Sequence, residues 1–260
     1  MTINQRSLCV KASFAAGIGA AGGAAALVSA AAARGGTYPG GAAAFALSSA
    51  GPLAAALCGL GLGGILALKA SRSGSIELFF LSFWCLSLSL GLAAPVSAWL
   101  SAHGAAWAVL AVLERARVFS WALSAFFPFA GGLFAAGLSP TRDGAALGVA
   151  ALVSLLFSVI FPLNYDLAGG IVIASVGYAR LALVIKVCFW CLSASCYLSA
   201  WFDSRDKAFL IAGAGISAAM VGTWLLGSGP GPIGLAMGSA LAVGGAGLHA
   251  RTLYRHYLWR

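Results

Sequence analysis

Acidic side chains are scarce in this sequence: six Asp and Glu among 260 residues, against fifteen Lys and Arg. Histidine occurs three times, as His103, His249 and His256, never in an HExxH or similar pair. These shortages exclude much chemistry. Acid–base catalysis needs a positioned carboxylate or histidine, and a serine nucleophile needs a histidine–acid partner beside it. No such set falls at one depth of an apolar run. There is no acid pair for an intramembrane protease and no second intramembrane acid for a proton relay through the full membrane. A Walker-type phosphate loop is absent. The sequence is read as a non-enzyme that implies no cofactor and no metal.

Charge of both signs together is also low, 8% of residues, while 61% are hydrophobic. Soluble domains carry about 25% charged residues. A soluble fold of this length has too little interior to hide so much apolar surface, whereas a bilayer accepts it. The net charge of +9 comes from scattered cations with no basic stripe or stacking platform, so nucleic acid is excluded as a partner. The excess is read as a positive-inside bias plus contact with lipid headgroups. Five of the six cysteines (Cys58, Cys85, Cys188, Cys191 and Cys196) lie inside apolar runs, and Cys9 does not. Cys188 and Cys191 have CxxC spacing but no polar second shell, which reads as apolar filling rather than a metal or redox pair.

What the sequence does contain is eight apolar runs: Ala12 to Ala33, Gly41 to Leu68, Leu78 to Leu100, Val118 to Leu138, Ala145 to Leu163, Leu181 to Trp201, Ala208 to Leu226 and Pro232 to Leu248. A helix of about 20 apolar residues crosses about 30 Å of hydrocarbon. The expected fold is all-α, a polytopic helical membrane bundle of seven transmembrane helices plus an N-terminal signal peptide or eighth helix. Two readings stand for residues 1–34. Arg6 and Lys11 precede a weak Ala/Gly stretch ending "VSAAAAR", which suits a signal peptide, while its length suits a span. Residues 35–250 form the seven-helix membrane domain and 251–260 a basic-aromatic tail.

With the N-terminus inside, Arg6, Lys11, Lys69, Arg72, Arg142, Arg205, Lys207, Arg251, Arg255 and Arg260 fall on the inner side, and Arg34, Arg115, Arg117 and Arg180 on the outer. This bias predicts a bacterial inner-membrane protein with a cytoplasmic C-terminus. The tail "LYRHYLWR" then sits at the inner headgroups, with Arg251, Tyr254, Arg255 and Trp259 expected to contact lipid or a partner. Gly59-xxx-Gly63 and Gly234-xxx-Gly238 permit close helix crossing. The match of Gly17 to Gly22 to GxGxxG has no strand before it and is not a nucleotide site. Pro52, Pro95, Pro128, Pro162 and Pro232 predict kinks or helix starts.

Three places carry ionisable groups near the apolar core. "LERARVFSW" holds Glu114, Arg115 and Arg117 after ten apolar residues, Gly104 to Leu113, too few to span. That piece is expected as an outer interfacial helix, its charges either self-paired or forming an anion-binding rim. "FPLNYDLAGG" places Asn164, Tyr165 and Asp166 at an outer end, followed by an apolar glycine-containing loop to Tyr178 and Arg180 that folds back into the outer mouth or forms a capped turn. Lys186 lies inside its run, where it must snorkel or pair with Asp166 or Glu114. Asn164, Asp166, Tyr178, Arg180 and Lys186 form the candidate outer ligand site.

From "SRSGSIELFFLSFWCLSLSLGL" through "LERARVFSWALSAFFPFAGGLF", "FPLNYDLAGGIVIASVGY" and "DSRDKAFLIAGAGISAAM" to "LHARTLYRHYLW", the order of features resembles the seven-helix N-terminal input region of bacterial membrane histidine kinases and diguanylate cyclases. The likeness covers roughly residues 41 to 258 and is one of pattern. It implies a sensor fold. It implies neither kinase nor cyclase activity, because the residues for those are not in the chain, which reaches Arg260 without an output domain. The leading expectation is a sensor-like membrane protein that binds a small molecule and passes a change to a cytoplasmic signalling protein. A small-solute transporter, or a subunit of one, is the first alternative. A structural partner in a membrane complex is the second, since glycine-faced helices suffice for that.

Overall fold

The structure, a computed structural model, describes residues 1–33, 38, 41–69, 75–138, 143–168, 171–176, 179–227 and 231–258. Arg34, Arg72, Arg142, Tyr178, Trp259 and Arg260 lie outside these. Helices account for nearly all of it: α1 (Ile3–Ala32), α2 (Gly41–Lys69), α3 (Ile76–Leu90), α4 (Ala93–Ala102), α5 (Trp107–Ala135), α6 (Asp143–Ile160), α7 (Ala179–Ser204), α8 (Lys207–Gly227) and α9 (Pro232–Leu258). The all-α bundle is as expected. Seven helical stretches are long and apolar enough to cross a membrane, with α3 and α4 counted as one, and α6 is a shorter apolar helix. The chain has the build of a multi-pass membrane protein. Ile3–Ala32, one of the two readings for the N-terminal run, is among the seven and packs along α3, and the shorter eighth helix is the run near Ala145.

Local chemistry explains the starts. Thr2 accepts from the Gln5 amide while the Gln5 side chain accepts from the Thr2 amide, a capping box that opens α1. Ser75 accepts from the Leu78 amide at the start of α3. Pro232 supplies the first residue of α9, where its missing N–H costs nothing.

Two sequence expectations are corrected. No separate interfacial helix precedes Val118: α5 runs unbroken from Trp107. Glycine and proline are absent between Trp107 and Val118, and the charges within the helix are satisfied in place. Glu114, buried at 2% exposure, pairs with Arg117 at 3.3 Å. Arg115 donates to the carbonyls of Ser158 and Phe161, 2.5 Å from each, so it caps the last turn of α6. The second correction concerns the glycine-containing loop after Pro162. It holds an antiparallel hairpin, β1 (Leu163–Ala168) and β2 (Ile171–Val176), with Leu163 opposite Val176 and Ala168 opposite Ile171. The β-branched run from Ile171 to Ile173 favours a strand over an irregular loop. β2 lies against α4 and α5.

The run from Leu78 to Leu100 is broken. Pro95 cannot donate to the Gly91 carbonyl and its ring crowds that carbonyl. The chain instead tightens through three-residue hydrogen bonds, Leu92 to Ser89 and Ala94 to Gly91, both 3.2 Å. The Ser120 hydroxyl of α5 adds a 2.6 Å bond to the Ser87 carbonyl beside the break. Pro52 and Pro128 also lie inside helices.

Close packing holds the bundle. α8 and α9 make the most extensive pairing, backbone on backbone. A side chain at Gly222 would overlap Ala242 and the Gly238 carbonyl, and one at Gly245 would come within 2.5 Å of the Gly215 carbonyl. Gly59 and Gly238, singled out in the sequence, sit at such contacts. A buried aromatic layer of Phe79, Phe80, Trp84 and Phe127 fills the middle of the bundle. His249 is a packing histidine: its Nδ1 lies 2.8 Å from the Ala212 carbonyl and its ring meets Tyr197 edge-on. Both chain ends lie on one face, since Arg6 and Arg255 line one cavity there.

Candidate functional site

At the face away from the termini, two adjoining lobes of about 360 and 370 Å³ open between α2, α4, α5, α7 and α8. Arg117, Trp121, Lys186, Thr223 and Gly227 line both. The second lobe reaches down to Ser87, Gly91, Ser120 and Ser124 and up to Tyr38. Each element delivers its residue for a local reason. On α5, Arg117, Ser120, Trp121 and Ser124 recur at three- and four-residue spacing, so they share one helix face. The break between α3 and α4 brings Gly91, Ala94 and Pro95 to the wall, where their small size leaves room. Tyr38 stacks on Trp99 with ring centroids 6.0 Å apart, holding it at the rim.

Electrostatically the cavity is cationic. Lys186 is half-buried and its ammonium lies over the Trp190 ring, 4.9 Å from the centroid. Among the described residues no carboxylate lies within ion-pair distance of it. Arg117 is half-exposed and carries the Glu114 pair on one side. The serines donate to carbonyls, Ser87 to Trp84, Ser120 to Ser87 and Ser124 to Trp121. Their oxygens still offer lone pairs, so the wall combines two cations with acceptor hydroxyls.

Of the five residues the sequence grouped as an outer site, three have described side chains, Asn164, Arg180 and Lys186, and of these Lys186 lines this cavity. Asn164 sits exposed on β1 and Arg180 exposed in the first turn of α7. The backbone of Asp166 pairs opposite Ile173, while its side chain, like Tyr178, lies outside the described residues. Arg117, Ser87, Ser120, Ser124 and Thr223 were not grouped. A signal existed, since Arg117, Ser120 and Ser124 form a polar stripe on an otherwise apolar helix, but the helix register that joins it to Lys186 is a tertiary fact.

The tail residues behave differently. Arg251, Tyr254 and Arg255 line a separate cavity at the termini face, and Lys69 lies over the Tyr254 ring at 5.3 Å. Tyr257 donates to the buried Glu77 at 2.5 Å, and Ser75 donates to the same carboxylate at 2.8 Å. His256 lies 3.0 Å from Asp206. Trp259 is outside the described residues. Cys188 and Cys191 are exposed on α7, and no cluster of three metal-ligating side chains occurs among the described residues. Compared with known proteins, the chain matches no family model, no curated protein and no solved structure.

Proposed function

We propose that this chain is a multi-pass membrane protein that binds a small organic anion in the cavity around Lys186 and Arg117, in the manner of a sensor without catalytic output. The observation that carries the reading is Lys186. A cation within a membrane helix is costly unless it has a counter-charge or a wet cavity. Here it faces a cavity of ligand size beside a second cation, and a bound anion would supply the missing charge. The positive-inside bias turns this cavity outward and the tail toward the cytoplasm of a bacterial inner membrane. α7 links the two ends: Lys186 lies near its outer end, and the residues after it reach Asp206, the partner of His256 in the tail. A ligand acts on that connection only through a difference in affinity between two states. The resemblance in pattern to kinase and cyclase input regions supports the same reading, with the signal passing to the cytoplasmic side.

The test is thermal unfolding of the purified protein against a panel of small carboxylates and phosphate esters, repeated with Lys186→Gln. Hydrogen bonds to a charged group are worth about 1.5–3 kcal/mol, so affinity should fall about tenfold or more. Unchanged affinity in Lys186→Gln would remove the cavity from the mechanism. The broken α3–α4 helix favours a second reading, because interrupted helices commonly line transporter sites. Flux of a stabilising anion into proteoliposomes would move transport ahead of sensing.

A further inference from the structure

At the termini face a cavity of about 580 Å³ lies between α1 and α9, floored by the ends of α2 and α3. Its construction follows one rule. Each of three helices gives a cation near its end and an apolar residue one turn deeper on the same face: Arg6 over Val10 on α1, Lys69 over Ile65 on α2, and Arg255 and Arg251 over Gly247 on α9. At the start of α3 the neutral Ser75 and the apolar Phe79 complete the lining. The cations therefore gather at the level of the helix ends, and the apolar wall lies beneath them toward the bundle middle. Among the described residues no acidic side chain lines the cavity.

We infer that this cavity is a binding site for one anionic phospholipid of the leaflet at the termini face, which is the inner leaflet in the orientation set by the cation bias. The phosphate sits among Arg6, Lys69, Arg251 and Arg255, and an acyl chain runs down past Ile65 and Phe79. Three observations favour a lipid over a free phosphate. The apolar wall would stay bare beneath a free ion. Ile65 is half-exposed, so that wall reaches the surface of the bundle. α1 and α9 flank the cavity without extended contact with each other, which leaves a side opening toward the bilayer. Cations in a last helical turn also offset the helix dipole, which accounts for Lys69 or Arg255 singly but not for their gathering over one apolar wall. Basic pockets between membrane helices suit anionic lipid headgroups.

The experiment is thermal unfolding of the full chain in detergent, titrated with dioleoyl phosphatidylglycerol, dioleoyl phosphatidylcholine or inorganic phosphate, with native mass spectrometry of retained lipid. Phosphatidylglycerol is expected to raise the midpoint and to stay bound, and the other two are not. Arg251→Gln with Arg255→Gln should lower the apparent affinity at least tenfold. Gly247→Phe keeps every charge and fills the cavity from a position where an added Cβ meets nothing, so it should abolish the retained lipid. Lys207→Gln, a cation on the same face outside the cavity, should change nothing. Equal stabilisation by phosphate overturns the inference in favour of an ion site. An unchanged lipid response in Gly247→Phe, or an equal loss in Lys207→Gln, overturns it in favour of diffuse surface charge.

Discussion

Arg115 shows how a charge inside an apolar helix is settled by a neighbour. In sequence it belongs to the cluster "LERAR", and pairing with Glu114 is the obvious guess. In the fold Glu114 goes to Arg117, and Arg115 turns to the last carbonyls of α6. Those carbonyls have no intrahelical donors, so removing the guanidinium strands two acceptors. Arg115→Leu should destabilise the protein by about 2–4 kcal/mol, from two hydrogen bonds to a charged donor, as read by the midpoint of unfolding in mild detergent. An unchanged midpoint would show that water or lipid headgroups cap α6 equally well. The spacing of the three charges was legible in the sequence, but which partner each takes depends on where α6 ends.

At the scale of elements, glycine and proline did most of the work that the sequence announced. Pro95 splits a run that hydropathy reads as one helix, and the split opens the wall of the cavity around Lys186. Gly222 and Gly245 let α8 and α9 touch through their backbones, as small residues do in membrane interfaces. Gly222→Leu should force this pair apart and cost about 1–3 kcal/mol or more. Gly244→Leu, where an added Cβ meets nothing within 4 Å, is the matched control. Equal unfolding midpoints for the two variants would contradict the backbone contact. The extent of α5 was misjudged for a definable reason. Charges within a hydropathy window lower its mean, so the window ended a helix that the hydrogen-bonded chain continues.

For the whole molecule, the arrangement of charge makes a topological prediction. The face with both termini carries Arg6, Lys69, Arg205, Lys207, Arg251 and Arg255, while Arg115, Arg117 and Arg180 lie toward the other. The positive-inside rule predicts that the former is cytoplasmic. A C-terminal green fluorescent protein fusion should fluoresce in a bacterial host, and a C-terminal alkaline phosphatase fusion should be inactive. The opposite pair of results would invert the molecule and place the cavity around Lys186 inside. Phe79, Phe80, Trp84 and Phe127 are buried in the core, and the cavities of the two faces share no lining residue, so a link between the faces runs along helices. α7 reaches both, from Lys186 to the neighbourhood of the His256–Asp206 contact.

The sequence by itself determined the class of this protein. Hydropathy and helix length are one-dimensional quantities, and a bilayer selects on them directly. It likewise marked the break beside Pro95, because proline lacks a donor wherever it stands, and the close contacts at Gly59 and Gly238, because glycine lacks a Cβ. It also placed Arg251, Tyr254 and Arg255 among functional candidates, and they do line a cavity. Only the tertiary structure decided the sites. Lys186 meets Arg117 and Ser124 because α5 and α7 are neighbours at one register. Arg6 and Arg255 meet because the seven long stretches and the shorter α6 together run between the faces eight times, which returns the chain to its starting face. Such meetings depend on the rotation of each helix about its axis, which packing sets and no local pattern records. For the same reason Asn164 and Arg180, close to Lys186 in sequence, stand outside its cavity.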